Sequence, residues 1–505
     1  MNPVYALYDN LPAKAERPAI HDGDFCLTHA GLIAHVETAA RDLIHRGIAP
    51  GHCVGLCATN SWRHVVGYLA ILRSNAVWVP LNPRNGAGLN TYLQARAGLA
   101  LTLHDTASAA AAGQTTTALN IDDWIEAPLP TNTPTLPPIL DDRDATFAIK
   151  FTGGSTGTPK GVVQSQASAS CAMASLNAFY GFTPDDVNLA VAPLTHGASH
   201  YILPVLAAGG AHVLLAEPSR EGVLAELKTR VSIVFMPPTL IYLLMAEAAF
   251  RPEDLPRLRH LTYSAAPMPP ARITQAIARF GPVVGTLYGQ TEAPMTIAAL
   301  TPGQMQDPAL HTSVGRAFQG TPMGVLCEDG QVCTANAKGE VVVKGDLAAT
   351  TYLDDPVQTT LARHSDWLKT GDIGRLDAEG HLFLLGRSKE MIISGGYNIY
   401  PAEVETALAA HPNVREACAF GIEDATWGER LEAAVALYDP SGDLRELTAF
   451  VRDRIGPVRT PKTLHRLDAL PRNPVGKVVR ADVIQLVHPA TRPGGLRTET
   501  LETAP

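Results

Sequence analysis

No CxxC pair occurs in the 505 residues, and the seven cysteines (26, 53, 57, 171, 327, 333 and 418) are scattered and odd in number. That excludes a disulfide framework or a zinc ribbon and leads us to expect reduced thiols in a cytoplasmic protein. Long basic runs are missing too. Forty lysines and arginines stand against 49 acidic residues, a formal net charge of −9, which argues against nucleic acid and anionic membranes as main partners. The first nine residues, Met-Asn-Pro-Val-Tyr-Ala-Leu-Tyr-Asp, contain neither a basic stretch nor a long apolar one, so no secretory leader is expected. A membrane-length apolar run is also lacking. The most apolar region, Tyr201–Ala216, is broken by Pro204, Gly209, Gly210 and His212 and reads as core. No internal repeat is visible.

What is present is a chain too long for one core, alternating helix and strand signals. Asn60 is placed to cap a helix whose Trp62, Val65, Val66, Leu69 and Leu72 share a face. Ala76–Leu81, Val231–Met236 and His260–Tyr263 are short apolar runs suited to a sheet covered on both sides. Residues 105–140, rich in Ala and Thr and then in Pro, read as an exposed connection without chemistry. Glu340–Lys344 and His381–Leu385 suggest strands of a smaller sheet. A compact α/β unit then starts near Lys389, with Pro401 opening a helix. From about residue 489 the tail is polar and aperiodic, and we expect it to be disordered.

One loop stands out. Thr152, Gly153, Gly154, Ser155, Thr156, Gly157, Thr158 and Lys160 combine three glycines, four hydroxyls and one cation directly after Ala145–Phe151, which reads as a buried strand. Glycines let backbone N–H groups approach an anion, hydroxyls add donors and the lysine adds charge, so the loop suits a polyphosphate. It is not a Walker A loop, because Pro159 and Gly161 flank Lys160.

Four further segments follow in order. They are Tyr288-Gly289-Gln290-Thr291-Glu292; Thr370-Gly371-Asp372; Gly386-Arg387-Ser388-Lys389-Glu390 running on to Ser394-Gly395-Gly396-Tyr397; and Pro471-Arg-Asn-Pro-Val-Gly-Lys477. Together with the loop, from about residue 20 to 487, they make the chain resemble the acyl-adenylate-forming superfamily. That group holds acyl- and aryl-CoA ligases, amino-acid adenylation domains and beetle luciferases. The resemblance implies an α/β protein with a large N-terminal domain of mixed and parallel sheets flanked by helices, residues 1–388. A small, mobile C-terminal α/β lid, residues 389–505, would carry the catalytic lysine.

The resemblance also gives each segment a role. Thr152–Lys160 would grip the β- and γ-phosphates of ATP. Tyr288 would stack on adenine, with Gly289 and Gln290 beside it; Thr291 would contact the α-phosphate and Glu292 would hold Mg²⁺. Ser264, Ala265, Ala266 and Pro267 would wall the adenine, although the family often has glycine where Ser264 stands. Asp372 would anchor the ribose, a carboxylate accepting two hydroxyl bonds at once, and Arg387 would contact ribose or phosphate. Lys477 would bridge the substrate carboxylate and the α-phosphate. Lys389 holds the hinge position, where many relatives have aspartate. Ser394, Gly395, Gly396 and Tyr397, with Trp427, would line a pantetheine tunnel.

A carboxylic acid, ATP with Mg²⁺, and CoA are thus the implied substrates and cofactors, and a homodimer stays open. The acyl pocket should be built from His196, Gly197, Ser199, His200, Tyr201, Met236, Pro237, Gly289 and Met295, with His196 by the carboxylate. Pro193–His200 contains no acid to pair with an ammonium, which disfavours an α-amino acid. Benzoate-type aryl-CoA ligases match best by length, by the glycine turn and by Trp427. An aromatic or compact cyclic acid is therefore expected, with medium-chain fatty acids next. The alternative acceptor is a carrier-protein phosphopantetheine. A dead nucleotide sensor would be free to lose Lys477, Glu292 or Asp372, and all three are present.

Overall fold

The computed structural model describes residues 2–113, 117–152, 159–246, 250–473 and 477–489, together with the strand Glu499–Glu502. Four sheets organise the described residues. The first has nine strands. Its middle, Val284–Gln290, His260–Tyr263, Ile233–Met236, Val187–Ala190, Ala211–Leu214 and Pro18–Asp22, is parallel throughout. The second has seven strands, in which Thr146–Thr152, Val77–Pro80, Cys53–Cys57, Leu101–His104 and Ala118–Asn120 run parallel. The helices His29–His45 and Trp62–Arg73 lie between these two sheets and share one core with both of them. Because both faces are covered, strands such as Val77–Pro80 are buried at every position, which explains their unbroken apolar runs.

An antiparallel third sheet is built around Ala337–Val343, Trp367–Leu376 and Leu382–Arg387. The fourth belongs to a small C-terminal domain with its own core, assembled from residues 392–487. Its long hairpin Val414–Asp424 and Gly428–Leu437 is backed by the helices Pro401–Ala409 and Leu444–Ile455. This matches the α/β class and two-domain plan expected above. The expected disorder of the tail is corrected at Glu499–Glu502, which pairs antiparallel with Thr463–Arg466. That strand otherwise leaves a row of backbone donors and acceptors open at the sheet edge. Among the described residues no helix is long and apolar enough to cross a membrane, and all seven cysteines are free.

Ser61, not Asn60, caps the helix Trp62–Arg73. Asn60 is instead buried. Its amide donates to the Ala190 and Ala192 carbonyls, and its Oδ1 accepts from Leu194 N–H at 2.9 Å. It thereby ties the second sheet to the loop that leads to His196.

Two buried histidines make the fold acid-sensitive. His212 accepts from Asn188 at Nδ1 and donates to the Ile202 carbonyl through Nε2, so it is satisfied only as neutral imidazole. His64 donates from Nδ1 to the Ala58 and Thr59 carbonyls, while its buried Nε2 has no partner. Burial pushes both down to about 4. Their folded pKa values lie below the unfolded one near 6.5, so this stability is complete above pH 6.5 and is lost as pH falls towards 4. Each contributes on the order of 3 kcal/mol. We expect Tm to fall by several degrees between pH 7.5 and 5 in a scanning-calorimetry series; a flat Tm over that range contradicts neutral burial.

Candidate active site

The strand Thr146–Thr152 ends where the strand Lys160–Ser165 begins, and Thr152 and Lys160 face each other in an antiparallel register. The loop tip between them, Gly153, Gly154, Ser155, Thr156, Gly157 and Thr158, lies outside the described residues. Lys160 Nζ donates to Gln358 Oε1 at 2.8 Å and stands 5.5 Å above the Tyr352 ring. Tyr352 in turn donates from its hydroxyl to Glu292 Oε1 at 2.9 Å.

The turn after the strand Val284–Gln290 is fixed from the neighbouring sheet. Gln164 donates to the Thr291 carbonyl at 2.8 Å and Thr350 Oγ1 to the Glu292 carbonyl at 2.7 Å. This fixes Thr291 and Glu292, and Tyr352 links Glu292 to Lys160. Sequence reasoning missed Gln164, Thr350, Tyr352 and Gln358, whose role depends on strand pairing between distant segments. Glu292 is half-buried, and among the described residues no cation pairs with it. Its carboxylate is the kind of oxygen donor a hard divalent ion takes when phosphates supply the rest.

Asp372 gathers the third segment. Tyr288 donates from its hydroxyl to Asp372 Oδ2 at 2.5 Å, and Arg387 Nε lies 2.7 Å from Oδ1. Strand register causes the second contact, since Asp372 and Arg387 are direct partners between Trp367–Leu376 and Leu382–Arg387. Burial raises the carboxyl above its ordinary range, against the pull of Arg387. The Tyr288 ring packs into the core with Ile297 and Val341, so it forms a fixed wall rather than an open platform. Ser264 is half-buried, while Ala265, Ala266 and Pro267 form an exposed rim just beyond the strand His260–Tyr263. Ala265 holds a left-handed backbone at φ 71°, a strain of the kind that clusters at functional sites.

Lys477 comes to this group from the small domain. Its N–H donates to Asn473 Oδ1 at 2.9 Å, and its carbonyl accepts from Asn473 N–H at 2.8 Å. The side chain retains access to solvent, yet it is crowded by protein and lies within electrostatic reach of Arg387, Glu390 and Asp372. Loss of hydration first, and then Arg387, hold its pKa below the ordinary lysine value. Three residues on, Arg480 pairs with Glu390 and with Glu405 and donates to the Ala419 carbonyl. Exposed Lys389 lies in the short turn Ser388–Glu390 between the domains.

In the expected acyl pocket, a Cβ on Gly197 would stand 3.2 Å from Met295 Sδ and 3.5 Å from Phe235. Two expectations are corrected here. Met236 is fully buried among Val234, Ile241 and Met268 on the opposite face of its strand. Side chains alternate along a strand, so the residue facing Met295 is Phe235. Tyr201, 1% exposed, backs the pocket instead of lining it, its hydroxyl engaged with Tyr180, which donates onward to Thr262. His196 opens to the cleft, with Nδ1 2.9 Å from Thr195 Oγ1, and loss of hydration with the charge of Lys150 pushes it down to about 4. It is neutral at pH 7. Pro237 is half-buried directly after the strand that carries Phe235.

Gly289 admits no side chain: a Cβ there would lie 2.5 Å from Met295 backbone, itself left-handed at φ 62°. Gly289→Val should therefore displace Met295, narrow the pocket and cost about 2 kcal/mol or more of stability. Chemical denaturation and acid KM check this, and unchanged values for both contradict the assignment.

On the small domain, Gly395 N–H donates to the Trp427 carbonyl at 2.8 Å, and a Cβ on Gly395 would come within 3.0 Å of the Trp427 ring. Buried Ser394 pairs with Gly428, while Tyr397 and Trp427 remain exposed beside Gly396. Gly395 thus sits against Trp427, and Ser394 is the strand partner of Tyr397.

A parallel-sheet body bearing a hydroxyl- and glycine-rich loop, and a small domain delivering a lysine to a carboxylate–arginine pair, define a two-domain nucleotide-using enzyme. Comparison with known proteins agrees. Residues 8–353 match the AMP-binding enzyme family and residues 403–477 its C-terminal domain. The chain belongs to the AMP-binding enzyme family. It is 31% identical to a feruloyl-CoA synthase of Amycolatopsis sp. over 92% of this chain and 95% of that protein. A medium/long-chain-fatty-acid–CoA ligase of Mycobacterium tuberculosis is 33% identical, over 66% of this chain and 60% of that protein. The o-succinylbenzoate CoA synthetase of Bacillus subtilis, solved with its acyl-adenylate intermediate, superposes with a TM-score of 0.86 at 28% identity, covering 97% of this chain and 99% of that one.

Proposed function

We propose that the protein is an AMP-forming acid–CoA ligase, and that residues 389–505 rotate about Lys389 as a lid on residues 1–388. The observation that carries this is Lys477, brought from the small domain to within electrostatic reach of Asp372 and Arg387 in the large one. In the first half-reaction a carboxylate oxygen of the acid attacks the α-phosphorus of ATP. The bond to the β-phosphate oxygen breaks, and pyrophosphate leaves an acyl-adenylate. Lys477 neutralises charge that grows on the α-phosphate and holds the acid's oxygen against it. Asp372 and Arg387 orient the ribose, and Lys160 with the loop after Thr152 takes the leaving phosphates. Glu292 is the residue that would hold Mg²⁺, which when bound offsets phosphate charge. His196 is neutral and donates or accepts without adding charge at the acyl carboxylate.

In the second half the CoA thiol attacks the acyl carbon, AMP leaves, and the thiol proton goes to solvent or to the departing phosphate. The face formed by Gly395, Gly396 and Trp427 supports a passage for the thin pantetheine arm. The wall of Gly197, Phe235 and Met295 suits a compact aromatic or cyclic acid, and the feruloyl-CoA synthase likeness points the same way. Medium-chain acids are the second reading, favoured by the fatty-acid ligase likeness. Free thiols and the absence, among the described residues, of a membrane-length helix support a cytoplasmic setting. A panel of benzoates, cinnamates and C4–C12 fatty acids, assayed for AMP release with CoA and with a holo-carrier protein, tests the reading. Compact acids with CoA should be fastest; turnover with the carrier alone contradicts the assigned acceptor.

A further inference from the structure

Two lysines of the large domain are buried, and they differ. Lys14 donates to the carbonyls of Ala6 and Leu206 at 3.1 and 2.9 Å, the short contacts of a cation with a structural job. Lys150, 8% exposed on the strand Thr146–Thr152, has only two long contacts at 3.4 Å, to Ser199 Oγ and His200 Nε2, and the Trp78 ring 5.0 Å away. Among the described residues no carboxylate pairs with it. Such contacts sit at the outer limit of hydrogen bonding, and buried cations are almost always paired.

The surroundings orient the ammonium without neutralising it. Ser199 gives its own proton to the His196 carbonyl at 2.7 Å, so it can only accept from Lys150. His200 donates from Nδ1 to the Gly197 carbonyl at 3.2 Å, which turns Nε2 towards the ammonium. Gly197–Tyr201 is a 3₁₀ turn, in which residues three apart stand one above the other. His200 therefore shares the face of Gly197, the face that meets Phe235 and Met295. Lys150 reaches the same turn through Ser199 and His200. Neutral His196 and His200 supply no negative charge, and the segment Pro193–Tyr201 contains no acid.

We propose that Lys150, positioned by Ser199 and His200, forms a subsite for a second anionic group on the acid, so that the substrate is a compact dicarboxylate or an equivalent carboxylic acid bearing another oxyanion. The inference rests on the ligase reading above. It adds a selectivity element: the reacting carboxylate lies at His196 and Lys477, while the second group occupies the buried cation. Without that group the site carries an unmatched charge, and burial alone lowers Lys150 to about 7.

The test compares each diacid with its parent: the three phthalate isomers against benzoate, cyclohexanedicarboxylates against cyclohexanecarboxylate, and glutarate against butyrate. Acid-dependent pyrophosphate release gives kcat/KM. In the wild type at least one diacid should exceed its parent by tenfold or more. Lys150→Met should reduce that diacid-to-parent ratio on the order of 100-fold, and Lys150→Arg should restore part of it. Tm values confirm that both variants fold, and removal of an unpaired buried charge is not expected to lower Tm. Equal use of diacids and parents by the wild type overturns the subsite, as does an equal loss for both in Lys150→Met. Release with no acid at all instead overturns the ligase reading on which it rests.

Discussion

Lys477→Ala should lower acid-dependent pyrophosphate release by roughly 100- to 1,000-fold, the cost of removing one preorganised charge from a transition state. Thioester formation from supplied acyl-adenylate should change less than threefold. The asymmetry follows from position. The backbone of Lys477 is held by the paired hydrogen bonds with Asn473, and Arg480, three residues on, is anchored to Glu390 and Glu405, with the Lys477 charge within electrostatic reach of Asp372 and Arg387. The charged form does the work. Because its pKa lies below the ordinary lysine value, adenylation should decline as pH rises, earlier than for a solvated lysine, and Lys477→Arg should move that decline to higher pH. Stopped assays of the two half-reactions read both effects. Equal damage to both halves contradicts the role.

Gly396→Trp should do the reverse. Gly396 has φ 81°, and a Cβ there meets nothing within 4 Å, so the added ring enters open space beside Trp427 and Tyr397 instead of the core. The left-handed backbone costs about 1–2 kcal/mol, which a domain with its own core should tolerate. Thioester formation should fall on the order of 100-fold or more, the penalty for misplacing a reacting group, while pyrophosphate release stays near wild type. Unimpaired CoA turnover in this variant removes the tunnel from Ser394–Tyr397. Gly395→Trp is the weaker test, because its Cβ already presses on Trp427.

Much of the site was legible because its chemistry is written in short segments. The expected nucleotide contacts each draw on neighbouring residues of fixed type, and Asp372, Arg387 and Lys477 do lie within electrostatic reach of one another. Side-chain parity was not legible in a run buried on both faces. The strand Ile233–Met236 is apolar throughout, so nothing in it distinguishes Phe235, which faces Met295, from Met236, which turns away. Tyr201 falls within the segment expected to build the pocket, but its bond to Tyr180, 21 residues earlier, spends its hydroxyl in the core. Asn60 looked like a helix cap because caps are local, whereas its partners lie some 130 residues away. Tyr352 and Gln358 were invisible for the same reason: they reach Glu292 and Lys160 only once the strand Thr350–Tyr352 pairs with Lys160–Ser165. Lys150 lay in plain sight beside the loop, but only burial without a counter-charge makes it informative.

The central claim is that the two domains together turn a carboxylic acid into an acyl-adenylate. Exchange of labelled pyrophosphate into ATP, measured with the purified wild-type protein, magnesium, a broad library of acids and no thiol, tests it most directly. Acid-dependent exchange with at least one compact acid is the predicted result. No exchange with any acid of the library contradicts the account.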